Sequence, residues 1–385
     1  MTQTDVASEH AALLRLIAAG GALAPRRRLL ERFATPVAAC QAGGQAWREC
    51  GLGDAAVSAL SSDPINQAYA RSRAWLAQPQ HHLIGWHDPD YPALLRQAAN
   101  PPLALFLAGE PAALWHPGVA VVGSRAPTAG GRDNAIDFTR ALVGSGLSII
   151  SGLAAGIDTA AHEGALVAGG RTVAVLGTGP DIAYPQRNAT LHGRIAATDG
   201  CAVVSEHPPG TAPRREHFPS RNRLLAGLAL GTLVVEAAER SGALITARLA
   251  AEAGREVFAV PGSIHNPLAR GCHRLIRDGA SLVEHAQEVI GALAPLAGNL
   301  AEALRRRLHD PIALAAGGVS ASADGGDPPD PDYQRLWQAM GHDPTGMDRL
   351  VERSGLTTAE LSSMLLVMEL EGRVVSEHGR YSRKR

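Results

Sequence analysis

The chain has 385 residues, 45% hydrophobic and 19% charged, with a formal net charge of -1. That length exceeds one ordinary domain, so two or three units with ample core are expected. The near-neutral balance excludes a globally basic nucleic-acid binder, so any such partner must be met by a local patch.

The opening MTQTDVASEH has no basic segment leading into an apolar run. The sequence also lacks a stretch of about 18 apolar residues, so a cytoplasmic protein without a membrane segment is expected. Cys40, Cys50, Cys201 and Cys272 are scattered without metal-ligand spacing, which fits reduced thiols, and no metal or cofactor is expected. Residues 1–80 are alanine-rich with helical periodicity, broken at Gly20-Gly21, Gly43-Gly44 and Gly51-Leu52-Gly53. They predict a small helical domain of SAM or helix-hairpin-helix type. Its GLGDAAVSAL turn could offer N–H groups to a phosphate, but the basic residues cluster at Arg26–Arg28 instead, which favours packing on the rest of the chain. Residues 81–118 are proline-punctuated, carry His81, His82 and His87, and read as a connector.

From Val119 short apolar runs alternate with amphipathic helices: VAVVG, LSIIS, TVAVLG, AVVSE, TLVVEA and EVFAVPG. Unbroken Val and Ile runs in this rhythm predict an α/β fold, a doubly wound and mostly parallel sheet over 119–294. Residues 295–332, with AAGGVSASADGGDPPDPD, read as a flexible acidic linker. Residues 333–385 then predict a winged helix: helices over Tyr333–Met340, Thr345–Arg353 and Thr357–Glu371, and a two-stranded wing from RVVSEHGRYSR. Thr357 and Glu360 form a capping box for the third helix. That helix is acidic and mostly apolar, so protein contact or packing suits it as well as duplex DNA, although Arg380, Arg383, Lys384 and Arg385 could touch phosphates.

Ligands of such sheets bind at the carboxyl ends of the strands, where strand order reverses. In the common order 3-2-1-4-5-6, counted from Val119, that crevice lies between the first and fourth strands. It would join Gly123-Ser124-Arg125 to Ser205-Glu206 and the stretch PRREHFPSRNRLLAGL that follows. There Arg214, Arg215, Arg221 and Arg223 flank His217 and Phe218. Such a cluster is either a solvated face or a set of phosphate clamps around a ring that stacks on a base. Gly152 and Gly156 allow close backbone approach, Asp158 can cap the helix that follows, and Ser241-Gly242 opens a helix whose N–H groups could meet an anion. With 4% aromatic residues an extended stacking platform is not expected.

Nucleotide and catalytic motifs fit poorly. VVGSRAPTAGG lacks the GxGxxG spacing, and Lys384 is the sole lysine, so no P-loop is present. Ser124, Ser151 and Ser220 lack a linked histidine and carboxylate at motif spacing, and His162 reads as a packing residue. Glu206, Glu236 and Glu239 at strand ends are the remaining acid or base candidates, and they sustain an alternative, a nucleotide hydrolase using a strand-end glutamate.

The motifs VVGSRAPTAGG, IISGLAAGIDTAAHEGAL, TVAVLGTGPDIAYP, SEHPPG, FPSRNRLLAGL, VVEAAERSGALITARLA, REVFAVPGS and GCHRLIRDGA occur in order over roughly 90–285 and resemble the DNA processing protein A family (DprA, also called Smf). The resemblance implies an extended Rossmann-like domain without catalysis that binds single-stranded DNA and loads the RecA recombinase during natural transformation. It carries DNA contacts onto Arg125 of GSR, with Ser124 beside it, onto Phe218, Arg221 and Asn222 of FPSRN, with Arg223 adjoining, and onto the basic position at Arg215. His217, before Phe218, departs from an otherwise basic pattern. Self-association is also implied. A candidate surface is GCHRLIRDGA, where Leu275 and Ile276 are adjacent on a short helix and cannot both point fully inward.

Overall fold

The computed structural model describes residues 3–61, 67–309, 335–336, 339–340, 345–357, 361, 364–365, 368, 374–377 and 380–383. The chain divides into two compact units, Met1–Leu314 and Ala315–Arg385.

The larger unit is built on nine strands: β1 (His81–Gly85), β2 (Ala104–Gly109), β3 (Gly118–Val122), β4 (Ser148–Ser151), β5 (Thr172–Leu176), β6 (Ala202–Ser205), β7 (Gly231–Val234), β8 (Glu256–Ala259) and β9 (Ser281–Leu282). Their order in the sheet is β1-β2-β6-β5-β4-β3-β7-β8-β9. Strands β3 to β9 pair in parallel, whereas β1 and β2 add antiparallel at one edge. Every residue of β2 to β7 is buried, as expected of strands covered on both faces. Side chains alternate between those faces. Val119 and Val121 meet Phe138, Ile157 and Leu293 on one side, while Ala120 and Val122 meet Leu224, Leu228 and Ala247 on the other.

This order corrects the expected 3-2-1-4-5-6, and the handedness of crossovers explains it. A right-handed β–helix–β step advances the sheet one way when its helix lies on one face and the opposite way when it lies on the other. The helices after β3 and β4, Ala129–Gly144 and Ile157–Val167, share one face, and Ala189–Ala197 after β5 packs beside β2, β5 and β6. Three steps thus carry the chain outward to β6. Helix His217–Leu228 then crosses on the other face, and β7 returns to the far side of β3. The reversal lies between β3 and β7, so two strands, β5 and β4, separate Ser205-Glu206 from Gly123-Ser124-Arg125.

Residues 81–118 are more than a connector, because they hold β1 and β2. The fully buried run ALFLAG lies between prolines that confine themselves to its flanks, where they cost no ladder hydrogen bond. Among the described residues six helices lie between Gln3 and Leu76. Their Leu16, Leu29, Trp47 and Trp75 share a core with Phe106, Leu176 and Val203 of the sheet, so this region packs on the rest of the unit. Arg28 donates to the Cys50 carbonyl at 3.0 and 2.8 Å, clamping the turn before GLGDAAVSAL.

Helix Ala286–His309 runs through Pro295, where the linker was expected to begin, and its Leu293 is fully buried. The remainder of that linker, 310–332, lies outside the described residues, as do Glu360 of the expected capping box, Lys384 and Arg385. In the smaller unit helix Met347–Ser354 follows β10 (Thr345–Gly346) and precedes β11 (Val374–Glu377) and β12 (Arg380–Arg383), the three strands pairing in the order β10-β12-β11. The wing therefore has a third strand, taken from the start of what read as the second helix. Leu336, Met340, Leu350, Leu361, Leu365 and Met368 form its core.

Candidate nucleic-acid interface

The switch point between β3 and β7 is occupied by the protein itself. Glu236, just past β7 and 7% exposed, accepts hydrogen bonds from Thr128 N (2.9 Å), Thr128 Oγ1 (2.7 Å) and Asn266 Nδ2 (3.1 Å). Thr128 is the N-cap of helix Ala129–Gly144 and takes Gly131 N on its hydroxyl. In dinucleotide-binding proteins the pyrophosphate sits at this helix N-terminus. Here a carboxylate meets the helix dipole instead, and the cleft lined by Thr128, Gly131, Asn134, Val235, Glu236 and Asn266 presents an anion to any incoming phosphate. Exchanging it in Glu236→Gln turns an amide N–H toward donors that need an acceptor. A stability loss of about 1.5–3 kcal/mol in urea unfolding is expected, and an unchanged midpoint would show the carboxylate to be dispensable as a cap.

The glycines predicted to admit a ligand admit the protein's own chain. Gly156 has φ +84, and a Cβ on it would fall within 3 Å of Ser124 O and Arg125 C. A Cβ on Gly123 would lie 2.8 Å from Glu236 O. These contacts lock the GSR loop, with Ser124 N donating to Glu236 O (2.7 Å) and Ser124 O accepting from Ile157 N (3.1 Å). Ser124 is buried and its Oγ accepts from Ala126 N. Arg125 is then held out into solvent, with its guanidinium carbon 6.0 Å from the Phe218 ring centroid. The GSR loop and the arginine segment do meet, although β3 and β6 are not neighbours.

Helix His217–Leu228 sorts its arginines by periodicity. Arg221 shares a face with Leu224, Leu225 and Leu228, at i, i+3, i+4 and i+7, and is 5% exposed. Its Nη1 donates to Gly152 O at 2.7 Å and to Val175 O, and its Nε to Asn222 Oδ1 at 3.2 Å. A Cβ on Gly152 would strike this guanidinium, so that glycine makes room for Arg221. Burial draws the Arg221 guanidinium down to about 10, against the pull of Asp158. Asp158 accepts from Gly152 N (3.1 Å) and Ala154 N (3.3 Å), fixing the loop before its helix, and burial raises its carboxyl. Asn222 is 8% exposed and donates to Gly242 O at 3.3 Å. Arg223 forms a two-pronged ion pair with Glu206, 2.9 Å for Nη1 to Oε1, and ties the helix to the end of β6. In this arrangement Arg221, Asn222 and Arg223 are engaged with the protein itself.

What remains open is a compact surface. Arg125, Arg214 and Arg215 are exposed and make no ion pair with a described residue. Phe218 is half-buried beside Arg125 and against Gly177. His217 stacks on His207, centroids 4.0 Å apart, and donates from Nδ1 to Gly177 O at 3.1 Å. Burial lowers His207 to about 4, so it is neutral near pH 7. Tyr184, missed in the sequence, lies 5.1 Å from Phe218 between ring centroids.

The other candidates have structural duties. Ser241 caps helix Gly242–Glu252 with its own hydroxyl, while Gly242 is exposed beside it. Ser151 Oγ donates to Val121 O and Ser220 Oγ to His217 O, so neither hydroxyl points to a base. Glu239 is exposed. Leu275 and Ile276 are both half-buried against the sheet core, so neither points fully inward. No group of three or more His, Cys, Asp or Glu able to hold a metal occurs among the described residues. No described helix is long and apolar enough to cross a membrane.

Residues 82–294 match the family model for DNA recombination-mediator protein A, and residues 320–380 match the DprA winged helix domain. Protein Smf of Escherichia coli (strain K12) is 41% identical over 318 residues, covering 82% of this chain and 80% of that protein. DNA processing protein DprA of Streptococcus pneumoniae is 48% identical over 203 residues, 53% of this chain and 71% of that protein. The X-ray structure of the S. pneumoniae DprA superposes with a TM-score of 0.64 at 39% identity, covering 72% of this chain and 95% of that one. A structure of Helicobacter pylori DNA processing protein A, which concerns its single-stranded DNA binding mode, gives a TM-score of 0.51 at 28% identity over 56% of this chain and 96% of that one. The chain thus belongs to the DNA recombination-mediator protein A family, DprA or Smf.

Proposed function

We propose that this chain binds single-stranded DNA through Arg125, Arg214, Arg215 and Phe218, protects it, and loads the RecA recombinase onto it during natural transformation, in the cytoplasm and without catalysis. The observation that carries the proposal is the exposed Arg125 guanidinium beside the Phe218 ring, where a phosphate clamp and a base-stacking surface adjoin. RecA and self-association rest on the family resemblance. Two linked copies would raise avidity on one strand, and helix Arg270–Arg277 is the surface to test by light scattering.

Three exposed arginines set the scale of the electrostatics. At about 0.7 counterions released per phosphate contact with a single strand, log affinity should fall against log salt with a slope near -2. Arg125→Ala should reduce that slope by about 0.7 on every sequence alike, measured by fluorescence anisotropy with oligonucleotides. A salt-independent affinity, or an Arg125→Ala variant with the wild-type slope, would reject this site. The hydrolase alternative meets a specific obstacle, since the strand-end Glu236 is already committed to Thr128 and Asn266. Nucleotide turnover lost in Glu236→Gln would revive it.

A further inference from the structure

Tyr184 is 43% exposed, and it is the one exposed Phe, Tyr or Trp among the described residues. A single exposed ring needs no explanation by itself. This one abuts Phe218, whose other neighbour is the Arg125 guanidinium, so two rings and a cation form one continuous surface. The loop that carries it, from Gly177 to Asn188, is fastened along its length. Thr178 Oγ1 donates to Ile182 O (2.6 Å), Asp181 accepts from Gly210 N (2.8 Å), His192 Nε2 bonds to Pro180 O (2.8 Å) and Asn188 Nδ2 donates to Leu153 O (2.8 Å). Thr178, Asp181 and Asn188 of the loop are thus engaged with the protein while its tyrosine faces solvent.

We propose that Tyr184 is a second base-stacking residue, taking the nucleobase next to the one on Phe218, so that the site grips two adjacent bases. The inference deepens the single-stranded DNA function and rests on it. The ring planes are inclined by 40°, and stacked bases are parallel, so bases laid on the two rings must unstack from each other. Strands that unstack easily are then preferred: oligo(dT) over oligo(dA). A duplex, whose bases stay stacked and paired, cannot use the pair of rings.

The test uses the full-length protein with labelled oligo(dT), oligo(dA) and an abasic strand of equal length, read by anisotropy. Tyr184→Ala and Tyr184→Leu should weaken oligo(dT) binding about five-fold or more, with the salt slope and the affinity for the abasic strand unchanged. Tyr184→Phe should retain wild-type affinity, and the preference for dT over dA should shrink in Tyr184→Ala. Wild-type affinity of Tyr184→Ala for oligo(dT) overturns the inference while leaving the broader function standing. So does an equal loss on the abasic strand, which would mean that the ring merely supports the loop. Wild-type protein that binds none of the three strands overturns the function itself.

Discussion

Arg221→Ala is expected to cost the larger unit about 3–5 kcal/mol of stability, the range seen when a buried charge loses its counterpart. Three losses combine. Gly152 O and Val175 O lose their donor, and unpaired buried carbonyls are expensive. Asp158, itself buried, loses the cation that offsets its desolvation. A cavity opens beneath a glycine that has no side chain to fill it. Arg221→Lys should recover only part of the loss, because an ammonium is a point charge and cannot address two carbonyls and the Asn222 amide from one planar fork. Urea unfolding of the full chain measures both variants, and DNA affinity measured on the folded fraction separates support from contact. A variant as stable as wild type that has lost DNA binding would return Arg221 to the ligand face.

That arginine also marks where sequence and structure part. A charge run with an aromatic in it reads as surface, and for Arg125, Arg214 and Arg215 it is surface. Yet the spacing of Arg221 to Leu224, Leu225 and Leu228 placed it on the apolar face of a helix, a signal present in the sequence but outweighed by its charge. The strands from β3 to β8 were legible because unbroken Val, Ile and Leu runs can only be buried. Their order was not, since order depends on which face each crossover helix takes. β2 was hidden by the prolines around it. Tyr184 and the Glu236–Thr128–Asn266 cap were beyond reach for another reason: each joins segments between about 30 and 108 residues apart, and periodicity carries no information at that range.

Acid should destabilise the larger unit between pH 6.5 and 4 through histidines that burial keeps neutral, His162 and His207 foremost. His162 is fully buried in helix Ile157–Val167. Thr172 Oγ1 donates to Ile149 O (2.8 Å) and so must accept from His162 Nδ1–H (2.7 Å). Burial, with the Arg221 charge adding to it, lowers His162 to about 3, and burial likewise lowers His207 to about 4, with Glu206 opposing and His217, Arg223 and Arg214 assisting. Both folded values are depressed below the ordinary 6.5, so the stability they contribute is present above 6.5. It is lost as pH falls toward 4, where the unfolded chain takes up protons that the folded chain refuses. The expected slope is about 1.4 kcal/mol per pH unit for each histidine. Asp158 acts with the opposite sign, because its carboxyl is raised by burial, as is that of Asp88: their penalty is relieved as pH falls through the folded values. Burial also lowers His82, His87, His116 and His192, which add to the loss. His162→Asn, which keeps a donor for Thr172, and His207→Gln should each reduce the loss between pH 6.5 and 4.5 by up to about 1.4 kcal/mol per pH unit, and the double variant more than either alone. Calorimetry of the full chain, following the transition of the larger unit, is the measurement. A wild-type midpoint that stays constant over that window, or a double variant that keeps the wild-type slope, would place the acid sensitivity elsewhere. The same neutrality bears on the proposed DNA site, since His207 adds no fixed charge there at pH 7.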